Sequence, residues 1–523
     1  MILLTLFRRI TRRVCLFATL APWLLALPRA AAGEAEREVA IAAALSDQFG
    51  IRLSGAGDRF LASSGNHEKI HTADLPRLAE LLRALPLPVE LDLNDCHDLE
   101  NVDGLAPLPA LQRLGLDHCS HLRNVDGLKG LTGLRSLSLG ACDKLDYAAA
   151  FQQLPALQTL KLGDTRNLKN VDGLQRLTTL QNLDLNDCQN LENVHGLKTL
   201  IHLQKLNLGQ CVNLRKVDGL KTLTALQELD LSDCQALDNI EGLRGLVALR
   251  RLSVGAGYQL QNIDALKTLT ALQSLTLGNS IDLENLAGLR TLAALQELKL
   301  TGWFHLKSLD DLQALPALRS LTLAYCHVDS FDGLETLTAL QSFDLEHCPD
   351  LKSADPFKAM RALRSLFLWD CANLENLDAL KGLPVLQSLN LGSCRKLENL
   401  DVIKTLPSLQ DLQLSDFPKL KNLDGFSELT ALRSLGIGYC YQLENIGGLK
   451  GLPHLRTFSL YKCPGEKGVE VLADLPALDL LDLRETSIRD AQIPAALKAR
   501  RVRITLGFTP DIPPTHSPSS PEP

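Results

Sequence analysis

The chain has 523 residues, 45% hydrophobic but only 4% aromatic, and sets 54 basic against 61 acidic side chains for a net charge of −7. An acidic balance argues against general nucleic-acid or anionic-membrane binding. An apolar set dominated by leucine, with two methionines, argues against a core of mixed residue sizes and for one that repeats a single side chain.

Residues 1–32 read as an export signal. Arg8, Arg9, Arg12 and Arg13 form the basic region, residues 14–27 the apolar stretch, and Ala30-Ala31-Ala32 a small-residue cleavage site before Gly33. The stretch is 14 residues long, short of the roughly 20 a bilayer span needs, so a cleavable signal is predicted rather than an anchor or a buried helix. The segment TRRVCL at 11–16 also resembles a twin-arginine signal, leaving Sec and twin-arginine export both open, with a periplasmic or secreted product. Cys15 lacks the small residues that precede a lipoprotein cysteine. Cleavage removes these four arginines with Arg29 and no acids, taking the charge to −12; no stable membrane insertion is expected afterwards.

Residues 33–88 are predicted as an N-terminal cap: a helix over 34–49, a hairpin over 51–63 around Gly55 and Gly57, and a helix over 73–85, covering the open edge of the repeats that begin at Val89. From Val89 a 23-residue unit recurs, as VELDLNDCHDLENVDGLAPLPAL at 89–111 and QRLGLDHCSHLRNVDGLKGLTGL at 112–134. Aliphatic residues recur at unit positions 3, 5, 11, 14, 17, 20 and 23, and cysteine at 8. The 390 residues from Val89 to Leu478 make sixteen units of 23 and one of 22, the short one beginning at Arg319. A degraded eighteenth unit runs from Asp479 to Lys498, residues 499–508 are predicted as a C-terminal cap strand, and the Pro/Ser-rich tail 509–523 as disordered.

Each unit opens on an alternating segment such as Leu114-Gly115-Leu116, which predicts a short strand with one buried face. Leucines three apart, as at Leu128, Leu131 and Leu134, predict a short helical or 3-10 turn, with Asp126 placed to cap it. One unit alone cannot bury enough surface to offset its chain entropy, so stability must come from stacking.

The pattern LxxLxLxxCxxLxNVDGLxxLxxL resembles leucine-rich repeats over roughly residues 89–498, and its second half is similar to bacterial internalin-type units lengthened by one residue, with cysteine where asparagine is usual. The resemblance implies an α/β leucine-rich-repeat solenoid, a horseshoe or arc with a parallel concave sheet and short helical or 3-10 convex turns. It also implies recognition of a protein partner, without naming that partner; a monomer is expected.

Twelve of the thirteen cysteines, Cys96, Cys119, Cys142, Cys188, Cys211, Cys234, Cys326, Cys348, Cys371, Cys394, Cys440 and Cys463, occupy position 8. Equivalent positions on neighbouring strands lie about 4.8 Å apart, within disulfide reach, but in-register side chains point the same way. Buried free thiols that donate weakly to loop carbonyls are therefore predicted. Disulfides, or a metal held by Cys96, His97, Cys119 and His121, are the alternatives; no metal and no cofactor is predicted.

Positions 2, 4 and 6 should face outward from the sheet. Asp92, Asn94 and Asp95, then Asp184, Asn186 and Asp187, then Asp230, Ser232 and Asp233 form acidic groups that suit either a hard cation or, more simply, an exposed acidic face. Phe367 and Trp369 share one strand and one outward face, with Asp344 and Glu346 before them and Asn390 and Gly392 after. Tyr325, Tyr439 and Tyr461 fall on the same side. Exposed aromatics in so aromatic-poor a chain mark the candidate ligand surface. Gly257, Ser280 and Trp303 interrupt the cysteines, which suggests either compensated packing or an exposed Trp303-Phe304-His305 loop as a secondary site. The stretch from Tyr147 to Ala150 also loses the NVDG segment.

No phosphate loop, zinc motif or nucleophile elbow is present, and a dyad of His118 or His347 with its ladder cysteine would need a buried thiol turned outward. The expected function is therefore not enzymatic. It is an exported protein-binding module acting in host or cell-surface interaction, against the alternatives of carbohydrate or peptidoglycan binding, a structural envelope scaffold or a secreted virulence effector.

Overall fold

The computed structural model describes residues 34–56, 59–64, 70–86, 88–145, 151, 154–256, 260, 262–279 and 283–507. The signal at 1–32, the tail at 509–523, Tyr147 to Ala150, Gly257 and Ser280 lie outside the described residues. The chain divides into two compact units, one ending at Leu272 and one beginning at Gln273.

In the first unit, helix α1 (Glu34–Phe49) leads into strands β1 (Ile51–Ala56) and β2 (Arg59–Ser64), an antiparallel pair. Helix α2 (Leu75–Arg83) buries Leu75, Leu78 and Leu82 on one stripe, as amphipathic spacing requires. Strand β2 then pairs in parallel with β3 (Val89–Asp92), the first strand of the repeats, with Phe60 opposite Val89 and Ala62 opposite Leu91. Arg59 donates to Glu90 across that junction at 2.8 Å.

The repeats of this unit stack strand on strand in parallel, leucine on leucine: Leu114 meets Leu137, Leu137 meets Leu160, and Leu160 meets Leu183. The alternation of the sequence is thus the alternation of the burial, with Leu183 buried between half-buried Asn182 and Asp184. The opposite side of each repeat is a 3-10 turn such as Asp126–Gly130 or His195–Thr199.

One expectation needs correction. Asp126 does not cap its turn; its carboxylate pairs with Lys129 at 2.6 Å, and the capping oxygen belongs to Asn124, which accepts the Asp126 N–H at 3.3 Å. The same asparagine bond recurs from Asn101, Asn170 and Asn193 and, in the second unit, from Asn376, Asn399 and Asn422, while Ser308, Ser330 and Ser353 take the place of the asparagine in three repeats there. An amide two residues before the first turn closes an Asx turn, whereas the aspartate already inside that turn cannot reach back to its own N–H.

The position-8 thiols line the interior. The twelve cysteines are buried and free, and many of the thiols reach a carbonyl of the unit before: Cys119 to Leu93 O at 3.4 Å, Cys142 to Leu116 O at 3.1 Å, Cys211 to Leu185 O at 3.2 Å. Burial pushes the Cys96, Cys142 and Cys211 thiols up to about 12, so they stay protonated donors and poor nucleophiles. Thr165 fills a position 8 with its hydroxyl on Leu162 O at 2.6 Å, and Phe417 fills another with a buried ring.

The second unit repeats this plan from the Ser274–Gly278 strand to the Arg503–Gly507 strand. Glycine at position 16 lets consecutive turns nest: a Cβ on Gly448 would sit 1.9 Å from Leu423 O. Where that position is Asp311 the side chain is buried, accepting Leu286 N–H at 2.9 Å and Arg290 Nε at 2.5 Å. Asp311→Ala would orphan a buried N–H, and a loss of about 1–3 kcal/mol is expected. A urea titration reads it; an unmoved midpoint would mean that Leu286 finds another acceptor.

Candidate functional site: the outer sheet face of the second unit

The Ser365–Trp369 strand buries Leu366 and Leu368 and leaves Ser365, Phe367 and Trp369 half-buried on the other face. Its neighbours hold it in strict register, with Asp344 opposite Phe367 and Glu346 opposite Trp369 on one side, and Asn390 and Gly392 on the other. The two aromatic rings stack with centroids 6.1 Å apart and planes 14° from parallel. Gly392 makes room for them: a Cβ there would fall 2.2 Å from Trp369 Cζ3, so the indole lies down over the next strand's backbone. Both aromatics therefore present faces rather than stand free in water.

One carboxylate beside them, Asp344, is held in a surrounding that disfavours its charge. Burial raises the Asp344 carboxyl above its ordinary range, with Glu346 adding to the shift, while the Thr322 hydroxyl at 3.4 Å and Lys299 oppose it. A carboxyl raised on folding favours the native state while protonated. That contribution is full below the unfolded value of about 3.9 and is lost as pH rises through the folded value. Asp344→Asn is therefore expected to raise the thermal midpoint at pH 7, with the gain vanishing below about pH 4. A midpoint unchanged or lowered at pH 7 would contradict it.

Tyr325 joins the group through His347, whose imidazole stacks on its ring at 4.4 Å and 19°. His347 Nδ1 lies 2.7 Å from Asp370 Oδ2, and its Nε2 lies 3.7 Å from Glu346 Oε1. Tyr439 and Tyr461 form a separate pair, edge to face at 5.4 Å, with Lys462 Nζ 5.2 Å and 5.3 Å from their rings and the Tyr461 hydroxyl donating to Glu485 at 3.0 Å. Three strand spacings, roughly 14 Å, separate the Trp369 and Tyr439 repeats. Of the predicted residues, Asp344, Glu346, Phe367, Trp369 and Tyr325 come together; Tyr439 and Tyr461 do not join them.

Residues 162–284 and 317–444 match the model of the BspA type leucine-rich repeat region, in six copies. A leucine-rich-repeat protein of Leptospira interrogans superposes with a TM-score of 0.56 at 22% identity, covering 78% of this chain and 98% of that one. The fold is that of a leucine-rich-repeat protein. An internalin of Listeria monocytogenes matches at 22% identity over 63% of this chain and 85% of its own, with a TM-score of 0.43. A Listeria monocytogenes InlJ domain, described as including a cysteine ladder, matches at 17% over 74% of each chain, with a TM-score of 0.47. No curated protein matches the chain in sequence.

The leucine-rich-repeat frame corrects the secondary candidate. Trp303 is wholly buried, and its indole N–H donates to Leu277 O at 3.4 Å, the bond a thiol makes elsewhere in the ladder. Only Phe304 and His305 of that trio are exposed. After this loop, Leu306–Ser308 and Val328–Ser330 pair as a small parallel sheet, and His327 N–H donates to Trp303 O at 2.8 Å.

Two members of the cluster, His347 and Asp370, are not marked by the repeat pattern. Both occupy position 7, where the backbone leaves the strand in a left-handed conformation: φ is 54° at Tyr325, 49° at His347, 49° at Asp370 and 55° at Tyr439. That turn aligns the position-7 side chains of successive repeats into a row beside the sheet face. Asp187 and Asp233 occupy the same row in the first unit. The left-handed region suits Asp, Asn or His and penalises tyrosine, so Tyr325 and Tyr439 are not there for backbone reasons.

Among the described residues, no group of three or more His, Cys, Asp or Glu is arranged to hold a metal ion, and no helix is long and apolar enough to cross a membrane.

Proposed function

We propose that this chain is an exported recognition module that binds a protein partner on the outer sheet face of its second unit, centred on Phe367 and Trp369. The carrying observation is the stacked Phe367–Trp369 pair laid over Gly392. Beside it lies the Asp344 carboxylate, which folding leaves unfavourably desolvated. Large, pre-ordered aromatics with little side-chain entropy left to lose are what an interface anchor requires, and a charge held at a cost to stability is common at functional sites. The export-signal pattern at 1–32 supports a role outside the cytoplasm, at a host or neighbouring cell surface.

Immobilised full-length protein is tested against surface-protein extracts and against a glycan array, alongside Phe367→Ala/Trp369→Ala. Saturable capture of a protein that the double variant loses supports the proposal. Binding confined to glycans would reassign the face to carbohydrate, and capture unchanged in the double variant would remove the face from the function.

A further inference from the structure

Between Ser320 and Tyr439 the outward rows differ from those of the first unit in the signs of charge they carry. In the first unit the outward rows mix both signs: Arg113, Lys161, Lys205 and Arg251 stand among acids such as Asp92, Asp184 and Asp230, with Glu90 meeting Arg59 and Arg113 and Glu228 meeting Lys205 at 3.0 Å and Arg251. Between Ser320 and Tyr439, positions 2, 4, 6 and 7 carry Asp344, Glu346, Asp370, Asp411 and Asp416 and not one lysine or arginine. Arginines of this stretch, such as Arg319, Arg364 and Arg433, stand at position 1, at the far end of the strand. The cationic groups reaching these acids are Arg395, 3.9 Å from Asp416, and the more distant Lys299 near Asp344 and Arg433 near Asp411, while the His347 imidazole lies beside Glu346 and Asp370. Burial holds the Asp344 and Asp411 carboxyls above their ordinary range.

From this we infer that the occupant of the face is a lysine- or arginine-bearing segment of the partner protein, a conclusion that rests on the binding face proposed above. A cation entering beside Glu346 and Asp370 is flanked by Tyr325 on one side and Trp369 on the other, because Glu346 lies opposite Ala324, next to Tyr325, and opposite Trp369. Carboxylate oxygens and aromatic faces are the two groups that bind guanidinium and ammonium best, and they reinforce each other when water is excluded. Complementary charge would also set orientation and speed encounter, with an effect that salt screens. An acidic segment meets the reverse: a row of carboxylates with no lysine or arginine among the outward positions between Ser320 and Tyr439.

Full-length protein is titrated with a fluorescein-labelled twelve-residue peptide alternating arginine and serine, and with matched glutamate and glutamine versions. Binding of the arginine peptide alone is expected, weakening with added salt. Glu346→Gln/Asp370→Asn should weaken it at least tenfold, and asparagine at 370 keeps the left-handed turn accessible. Asp184→Asn/Asp187→Asn removes the same charge from the first unit and should change affinity less than twofold. Equal losses from both pairs, or no preference for the arginine peptide, would overturn the inference. If a captured partner depends on Trp369 but ignores Glu346→Gln/Asp370→Asn, the face stands and its basic occupant is rejected; if it ignores both, the face falls as well.

Discussion

Trp303→Ala is expected to lower the stability of the second unit by about 3–5 kcal/mol, the range for deleting a buried large aromatic. The indole is fully buried where other repeats hold a thiol, and it donates to Leu277 O. Removing it leaves a cavity and takes one donor from Leu277 O. The informative comparison is Trp303→Cys, which restores the residue most common at position 8. A consensus change usually stabilises, but here the interior is packed around an indole, and the His327 N–H bond to Trp303 O ties down the adjoining backbone. Trp303→Cys should therefore also destabilise, by roughly 2 kcal/mol or more, because a site that cannot collapse keeps its cavity. Chemical denaturation followed by circular dichroism measures both. Wild-type stability in Trp303→Cys would show that the slot readily contracts around a thiol.

Trp369→Ala should do the opposite, leaving the fold intact and costing partner affinity on the order of 2 kcal/mol, about thirtyfold. The leucines on either side of Phe367 carry the packing of the strand, and the indole lies on the outer face over Gly392 and against Phe367. Gly392→Ala makes the sharper test. Its new methyl would overlap Trp369 Cζ3, 2.2 Å away, and must lift the ring off the sheet, yet it adds no contact of its own to the interior. A substitution at a residue with no side chain should then reproduce much of the affinity loss of Trp369→Ala with an unchanged thermal midpoint. Full affinity in Gly392→Ala would mean that the lying position of the indole is irrelevant to binding.

The repeat was legible because two periods, alternation and leucines three apart, speak directly of burial. Cys119, Cys142 and Cys211 could be placed inside, and kept from pairing, from register alone. Phe367 and Trp369 could be placed on the outer face by counting positions. What counting could not see was backbone geometry at the strand's end. Position 7 looks like one more alternating residue, but its left-handed turn swings His347 and Asp370 into contact with each other, and His347 onto Tyr325. The half-buried state of Trp369 was also hidden, since it depends on a missing side chain in the next repeat. The capping role fell to Asn124 rather than Asp126 because both side chains suit a turn and only their distance from the first N–H separates them. Trp303 was ambiguous on volume alone: a large ring can leave a small slot or enlarge it, and only the loop's path decides.

The most direct measurement places one photo-cross-linking side chain at Asn390, on the sheet face beside Phe367, and in a second protein at Lys381, exposed on the turn side of the same repeat. Partner adducts should form from position 390 and not from 381. Adducts from 381 alone would put the partner on the turns and contradict a binding face built on Phe367 and Trp369.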